Sequence, residues 1–227
     1  MPSKDLYKLD NPVWHSLNEA HHQFSISYGK LKCYHPDQCL FGGYEKNHDI
    51  AMQMVEYANL VDNFFIVGER PFSSEKLSLK KELVCLQMVT QQPIKVDSTH
   101  NITKLNGKFE KQLFDLVDIV QPGYFRQKTS LLGEYFGIFE NEELVAVTGE
   151  RMKTNFHTEV SAVVTHPHYI GRGFAKHLVA YTVNNIFNEN KTPFLHVAET
   201  NFGAITLYEK LGFKARRKIS FWNFSRK

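Results

Sequence analysis

Apolar residues in the second half of the chain recur with two periods, which predict alternating strands and helices. Five apolar runs predict strands, at residues 134–139, 143–150, 159–165, 194–198 and 218–224. Helical spacing predicts three helices, at residues 108–120, 172–187 and 203–211. A short polar corner at residues 140–142 makes the first two strands a hairpin. The predicted order is helix, hairpin, strand, helix, strand, helix, strand.

The pattern before residue 90 is less regular. Asn11-Pro12 predicts a helix start with Asn11 as N-cap, and apolar residues at helical spacing extend that helix to Tyr28. A second helix is predicted from about residue 50 to residue 61, and strands are predicted at residues 63–67 and 82–89. The polar, proline-containing segment 90–101 predicts a seam. We therefore divide the chain into an N-terminal α/β region, residues 1–95, and a second region, residues 96–227.

Composition narrows the classes of partner. The 227 residues are 42% hydrophobic, which is enough for a substantial core. The net charge of +3 is too small to indicate nucleic acid or an anionic membrane as a partner. No apolar run approaches the roughly 18 residues of a membrane span, and none follows the N-terminal lysines as a secretory signal would. We expect a cytoplasmic protein that binds neither nucleic acid nor membrane.

The cysteines and histidines of the N-terminal region predict no metal site. Cys33, Cys39 and Cys85 are odd in number and lack the CxxC spacing, so we expect free thiols. His35 stands between the first two, but the spacing Cys-x-His-x3-Cys matches no zinc pattern. Surface histidines and buried thiols account for these residues.

The stretch "HYIGRGFAKHL", residues 168–178, places two glycines directly before a predicted helix. One interpretation is a tight turn that starts the helix. The other is an anion site, because the first N–H groups of a helix are free to bind phosphate. The dinucleotide-binding pattern G-x-G-x-x-G is excluded, because its third glycine position is Lys176.

Two segments together resemble a known superfamily. "AVVTHPHYIGRGFAKHLV" resembles the acetyl-CoA-binding motif of the GCN5-related N-acetyltransferases (GNATs), and "NFGAITLYEKLGF", residues 201–213, resembles their second signature. The resemblance covers roughly residues 100–227. The segment "PFLHVAETN" and the two-part chain most resemble the glycine N-acyltransferase-like branch. One departure is Ile170, which stands where the family has Arg or Gln.

The resemblance implies a fold and a cosubstrate. The fold is α/β, with a mixed, mostly antiparallel central sheet that is flanked by helices and splayed beside the glycine-turn strand. The cosubstrate is acetyl-CoA. Its pyrophosphate would lie on a cradle of five residues: Gly171, Arg172, Gly173, Phe174 and Ala175. Its pantetheine arm would pair with the backbone of Val163, Val164 and Thr165. Asn201 would be the N-cap of its helix, a CoA contact, or both.

The resemblance also implies the chemistry, in which an amine attacks the thioester directly. Tyr208 is then the candidate general acid for the departing thiolate, and the alternative is a core tyrosine. Glu159 is the candidate base, since burial among apolar neighbours would raise its pKa toward neutrality. The alternatives to Glu159 are Glu150, His196 and a chain of water molecules.

Several functions remain open at this point. The leading one is acetyl transfer to a primary amine of a small molecule or peptide, with residues 1–95 covering or shaping the acceptor pocket. A non-catalytic CoA-binding sensor is the alternative, and a nucleotide-binding protein is disfavoured by the missing P-loop pattern. The sequence leaves open the acceptor and whether the chain is a monomer or a homodimer.

Overall fold

The computed structural model describes residues 5–96 and 100–227. Residues 97–99, part of the predicted seam, lie outside that range. The strands are β1 (Ser25–Tyr28), β2 (Leu31–Tyr34), β3 (Phe41–Tyr44), β4 (Asn63–Val67), β5 (Leu77–Val89), β6 (Ile102–Leu105), β7 (Tyr135–Glu140), β8 (Glu143–Lys153), β9 (His157–Thr165), β10 (Thr192–Ala198) and β11 (Lys214–Arg226). The helices are α1 (Pro12–Asn18), α2 (Ala51–Tyr57), α3 (Glu110–Val120), α4 (Phe174–Asn188) and α5 (Phe202–Lys210).

All of these strands join one sheet. Its order is β1-β2-β3-β4-β11-β5-β10-β9-β8-β7-β6. Within the described residues, only the pairs β3–β4 and β9–β10 are parallel. The sheet is therefore mixed and mostly antiparallel, with helices packed on it, and the predicted fold class is confirmed.

Strand β5 carries the N-terminal region into the middle of this sheet. It pairs with β11 from Leu77 to Val89 and with β10 from Cys85 to Val89. One hydrophobic cluster also combines Phe41 with Phe194 and Phe221. Residues 1–95 and 96–227 therefore share strands of one sheet and part of one core.

The elements predicted for the second half of the chain are present, with ends shifted by a few residues. The predicted strands correspond to β7 to β11, and the predicted helices correspond to α3, α4 and α5. Strands β8 and β11 extend beyond the predicted ends, because their polar ends continue to pair with neighbouring strands. Apolar periodicity therefore located the elements better than it located their ends.

The first predicted helix is wrong over most of its length. Helix α1 ends at Asn18, and residues 25–28 form strand β1, which pairs with β2. The segment "FSISY" alternates apolar residues and serines, a period of two that favours a strand. Asn11 precedes α1 but makes no capping hydrogen bond to it; its Nδ2 donates to the Tyr44 carbonyl at 2.6 Å. Strands β1, β2, β3 and β6 were not predicted.

All three cysteines are buried and free, as expected. Burial raises the pKa of the Cys39 and Cys85 thiols to about 12. No described helix is both long and apolar enough to cross a membrane. No group of three or more His, Cys, Asp or Glu side chains within residues 5–96 and 100–227 could hold a metal ion.

Two buried histidines predict a loss of stability in mild acid. Burial lowers the pKa of His21 and of His157 from 6.5 to about 4. Between these two values the unfolded chain binds protons that the folded chain does not, so the free energy of unfolding falls as the pH falls through this window. We expect at most ~1.4 kcal/mol per pH unit from each histidine. Urea unfolding from pH 7.5 to pH 4 measures this slope, and His21→Gln should reduce it; an equal slope in the variant would contradict the assignment.

Candidate active site

Strands β9 and β10 separate soon after they begin, which opens a wedge in the sheet. They pair only where Thr192–Phe194 meets His157–Glu159. Beyond that point β9 stays paired with β8, and β10 stays paired with β5. Residues 160–165 and 195–198 therefore diverge, and the two strand edges between them are open to a ligand. This is the splay that the resemblance implies.

A backbone bulge lies on the β9 side of the splay. Gly149 and Val147 of β8 pair with Ser161 and Val164 of β9, so β9 contains one extra residue in this interval. Within it, Ala162 has a φ of +49°, in the left-handed region that alanine rarely occupies. Bulges of this kind are frequent beside active sites. The apolar run "EVSAVVT" predicts a regular strand, so the sequence carried no signal for the bulge.

The glycine turn follows β9 and leads into α4. Gly171 has a φ of +86° and Gly173 a φ of +81°, so both positions require the left-handed region that glycine alone adopts readily. No atom lies within 4 Å of the position that a Cβ at Gly171 would take. Within the described residues no side chain caps α4, and the N–H groups of its first three residues have no acceptor there. The turn therefore presents unpaired donors beside open space.

The residues around this turn add positive charge. Arg172 is exposed, and its guanidinium lies 4.7 Å from the centre of the Tyr169 ring. It pairs with no carboxylate of the described residues. Ile170, which stands where the family has Arg or Gln, is 71% exposed and leaves the surface beside the turn apolar. Arg172 is thus the side-chain cation of the turn itself.

Tyr208 lies in α5, within the hydrophobic cluster that spans the splay. The cluster contains Val160 of β9 and Val197 of β10, and Val163 packs against it. The Tyr208 side chain is 7% exposed, and burial raises its pKa to about 12. The phenol therefore keeps its proton at neutral pH. At the start of the same helix the Asn201 Oδ1 accepts a hydrogen bond from the Ala204 N–H at 3.2 Å, so Asn201 is the N-cap.

Glu159 is buried at the point where the splay begins. Its carboxylate accepts two hydrogen bonds from Arg151, both at 2.8 Å, and one from the Nδ1 of His196 at 2.7 Å. Burial alone would raise the pKa of Glu159, but the charge and hydrogen bonds of Arg151 outweigh burial and lower the pKa to about 2. The expectation of a pKa near neutrality is wrong. An ionised carboxylate held this firmly is a weak proton acceptor.

Both ring nitrogens of His196 also have hydrogen-bond partners. Its Nε2 lies 3.0 Å from the Nε2 of Gln87. The orientation of that amide is fixed, because the Gln87 Oε1 accepts from Arg216 at 2.9 Å and the Nε2 donates to the Leu9 carbonyl at 2.8 Å. We therefore assign a neutral His196 that donates from Nδ1 to Glu159 and accepts at Nε2 from Gln87. Neither ring nitrogen is free to take a proton from a substrate.

Glu150, the other carboxylate considered as a base, forms a separate ion pair with Lys153. Its side chain lies 2.6 Å from Lys153 and accepts a hydrogen bond from the Glu134 N–H at 3.0 Å. All three side chains that the sequence offers as bases therefore have internal partners. The remaining alternative raised from the sequence is a chain of water molecules.

A cavity of about 350 Å³ adjoins the splay on the face of β10 that carries His196 and Ala198. Its lining includes Arg151, Phe41, Phe65 and Phe221. A small cavity lined by Ser161 and Ala162 of the bulge shares Arg151 with it. Arg151, which the sequence analysis did not single out, thus lies between the bulge and the larger cavity. The predicted strand ended one residue earlier, at Glu150, so it did not include Arg151.

The N-terminal region builds part of this cavity. Phe41, Phe65, Leu83 and Cys85 all line it and all precede residue 96. The segment after α3, which includes Pro122 and Tyr124, also lines the cavity. The cavity therefore forms only where the two parts of the chain meet.

Comparisons with known proteins agree with this geometry. The family model described as FR47-like protein matches residues 135–222, from β7 into β11. A solved structure of a GNAT-family protein from Novosphingobium aromaticivorans is 27% identical, with a TM-score of 0.87 over 96% of this chain and 98% of that one. The match of residues 135–222 and the similarity to the GNAT-family structure point to the GNAT superfamily and support acyltransferase activity in general.

More distant GNAT structures share the fold. A GCN5-related N-acetyltransferase from Kribbella flavida is 11% identical, with a TM-score of 0.63 over 100% of this chain and 96% of that chain. A GCN5-related N-acetyltransferase-like protein from Streptococcus suis is 14% identical, with a TM-score of 0.63 over 99% and 98% of the two chains. The comparison with curated proteins gives no match.

Proposed function

We propose that this protein is an acetyl-CoA-dependent N-acetyltransferase of the GNAT superfamily that moves an acetyl group to a primary amine. The observation that carries the proposal is the splay between β9 and β10. The glycine turn follows one of its strands, and the cavity adjoins the other strand. The splay thus provides one path from an anion cradle to an acceptor cavity.

Acetyl-CoA fits the residues of this path. The N–H groups of residues 171–175 would bind the pyrophosphate, and the exposed Arg172 would add charge. The open edge of β9 at Val163, Val164 and Thr165 would pair with the pantetheine arm, as one strand pairs with another. The thioester would then lie between the bulge at Ala162 and the cavity.

The reaction is a direct transfer. The amine nitrogen attacks the thioester carbon, a C–N bond forms and the C–S bond breaks. Tyr208 gives its proton to the departing thiolate, which a phenol with a pKa of about 12 can do because it is protonated at neutral pH. The amine loses its proton to water, since Glu159, Glu150 and His196 have internal partners. Glu159 then acts as a positioning residue that holds Arg151 and His196 in the cavity wall.

The branch of the superfamily is a finer proposal. The segment "PFLHVAETN", which spans β10 and its exit, carries the resemblance to glycine N-acyltransferases. An N-terminal region that shapes the cavity accords with a two-part chain of that kind. We propose this branch, with a small-molecule amine as acceptor.

A non-catalytic CoA sensor is the second candidate. The observation that favours it is that Glu159, Glu150 and His196 all have internal hydrogen-bond or ion-pair partners. No side-chain base is then left among the candidates. A panel of primary amines, assayed for free CoA thiol with acetyl-CoA present, separates the two functions. An enzyme releases thiol in proportion to one class of amine. Tight binding of acetyl-CoA without thiol release from any amine would support the sensor.

Gly173→Val should abolish the stabilisation of the chain by acetyl-CoA. A β-branched side chain at φ +81° is strained and displaces the turn that presents the donors. The measurement is the midpoint of urea unfolding with and without millimolar acetyl-CoA.

Gly29→Val is the matched control for this variant. Gly29 also has a positive φ, +59°, with no atom within 4 Å of the position that a Cβ would take, but it lies in the β1–β2 turn. We expect Gly29→Val to lose stability and to keep the shift in midpoint that acetyl-CoA causes. An equal loss of the shift in both variants would show a general effect of strain, and the cradle would lose its support.

A further inference from the structure

The charged side chains that line the acceptor cavity and its neighbouring cavity are cations. Arg151 lines the cavity itself. A second cavity shares Phe41, Phe65 and Tyr124 with it and is lined by Lys81. Within the described residues no Asp or Glu lines either cavity, and Lys81 has no carboxylate within salt-bridge distance. The neutral His196 adds no charge to this wall. The pair of cavities therefore favours a ligand with a negative group.

The Arg151 guanidinium has N–H donors that could bind such a group. Its Nε and Nη2 donate to Glu159, and the guanidinium lies 4.7 Å from the centre of the Phe41 ring. Its Nη1 donates to no acceptor among the described residues. The side chain is 18% exposed, and it lines the cavity. A planar guanidinium fixed on one side by a carboxylate leaves its remaining N–H donors in a known direction.

The other walls are aromatic. Phe41, Phe65, Tyr124 and Phe221 line the cavity, and the rings of Phe65 and Tyr124 are stacked with centres 6.1 Å apart. A volume of about 350 Å³ is much more than an acceptor without a side chain would fill. Apolar and aromatic walls with a few convergent polar groups are typical of a small-molecule site.

We infer that the acceptor is an α-amino acid with an aromatic or large apolar side chain. Its carboxylate binds the free donors of Arg151, with Lys81 of the second cavity attracting it, and its side chain lies between the aromatic walls. Its amine then faces the splay. Acetyl transfer would give the N-acetyl amino acid and free CoA; the amine proton passes to water and the thiolate takes the proton of Tyr208. The transfer rests on the proposed function, but recognition of the carboxylate does not.

A binding experiment without cosubstrate tests the recognition. N-acetyl-L-phenylalanine and N-acetyl-L-phenylalaninamide share their shape and differ in the carboxylate. Titration calorimetry should give a dissociation constant at least ~10-fold lower for the acid, because a charge-assisted hydrogen bond is stronger than a neutral one. Equal affinities, or tighter binding of the amide, would overturn the inference.

Two lysine variants assign the effect to this cavity. Lys81→Met should reduce the preference for the acid and leave the affinity for the amide unchanged. Lys80→Met is the control, because Lys80 is also exposed but lines neither cavity. Arg151→Lys keeps a cation beside Glu159 but removes Nη1, so it should abolish most of the remaining preference. A preference that survives in both Arg151→Lys and Lys81→Met would overturn the inference.

Turnover separates this inference from the proposed function. If the acid binds preferentially but L-phenylalanine releases no CoA thiol, recognition stands and the transferase proposal fails. If phenethylamine, which has no carboxylate, is acetylated with as low a KM as L-phenylalanine, the transferase stands and the inference fails.

Discussion

Tyr208→Phe should lower turnover by ~10²–10⁴-fold, the usual value of general acid–base assistance, and leave the affinity for acetyl-CoA nearly unchanged. The ring is buried in the cluster that contains Val160 and Val197, on the two sides of the splay. Phenylalanine keeps the packing of that ring and removes only the proton donor. A loss of this size corresponds to ~3–5 kcal/mol of activation free energy. The measurement pairs the rate of thiol release with a binding isotherm for acetyl-CoA.

Tyr181→Phe is the matched control for that experiment. Tyr181 lies on α4, is 40% exposed, and packs its ring edge-on against Phe136 with the ring centres 5.0 Å apart. We expect its loss of hydroxyl to leave turnover unchanged. If Tyr208→Phe turns over as fast as the parent, Tyr208 is a core residue and water protonates the thiolate.

Glu159→Gln should destabilise the folded chain by ~3–5 kcal/mol, since removing one partner leaves a buried charge without its counter-ion. Arg151 loses the carboxylate that accepts its Nε and Nη2 hydrogen bonds. The same contact sets a pH dependence. Because the pKa of Glu159 falls from 4.5 to about 2 on folding, its contribution to stability is complete above pH 4.5 and is lost as the pH falls toward 2. Urea unfolding of parent and variant at pH 7 measures the difference.

The control for Glu159 is a surface ion pair. Glu189 lies 3.3 Å from Lys191 and is 41% exposed. Exposed pairs of this kind contribute little to stability, so Glu189→Gln should unfold at nearly the parent's urea concentration. If Glu159→Gln is as stable as the parent, the carboxylate does not hold Arg151. If Glu159→Gln instead folds stably and loses activity only near neutral pH, Glu159 is a base after all.

The sequence predicted those features of the site that depend on backbone geometry. The left-handed φ values at Gly171 and Gly173 follow from two glycines before a helix, because only glycine adopts that region at little cost. The N-cap was one of the two roles predicted for Asn201 from its position before α5, and Asn201 does cap that helix; its contact with CoA stays a prediction. In both cases the prediction needed only the residue types next to the start of a helix.

The electrostatics of the site were not predictable in the same way. Glu159 was expected to lie among apolar neighbours, and its pKa was expected to rise. Its partner Arg151 is only eight residues away, but it comes from the neighbouring strand, and His196 comes from β10 across the sheet. Contacts between strands depend on register, which a single sequence does not fix here because a bulge shifts it. The sign of the pKa shift was therefore wrong for a tertiary reason.

The position of the N-terminal region in the sheet was not predictable from the sequence either. Residues 82–89 were predicted as a strand, but nothing local indicates that this strand lies between β10 and β11. The cavity follows from that long-range pairing, since Leu83 and Cys85 of β5 line it together with Phe221 of β11. The sequence analysis expected residues 1–95 to cover or shape an acceptor pocket, and we propose this cavity as that pocket.

Binding of acetyl-CoA to the intact chain tests the central claim most directly. The measurement is the free energy of unfolding in urea with increasing acetyl-CoA, accompanied by a titration calorimetry isotherm. We expect one site per chain and a gain of ~2.7 kcal/mol when the ligand is present at 100 times its dissociation constant. Unfolding curves that coincide with and without millimolar acetyl-CoA, together with no heat of binding, would contradict the account.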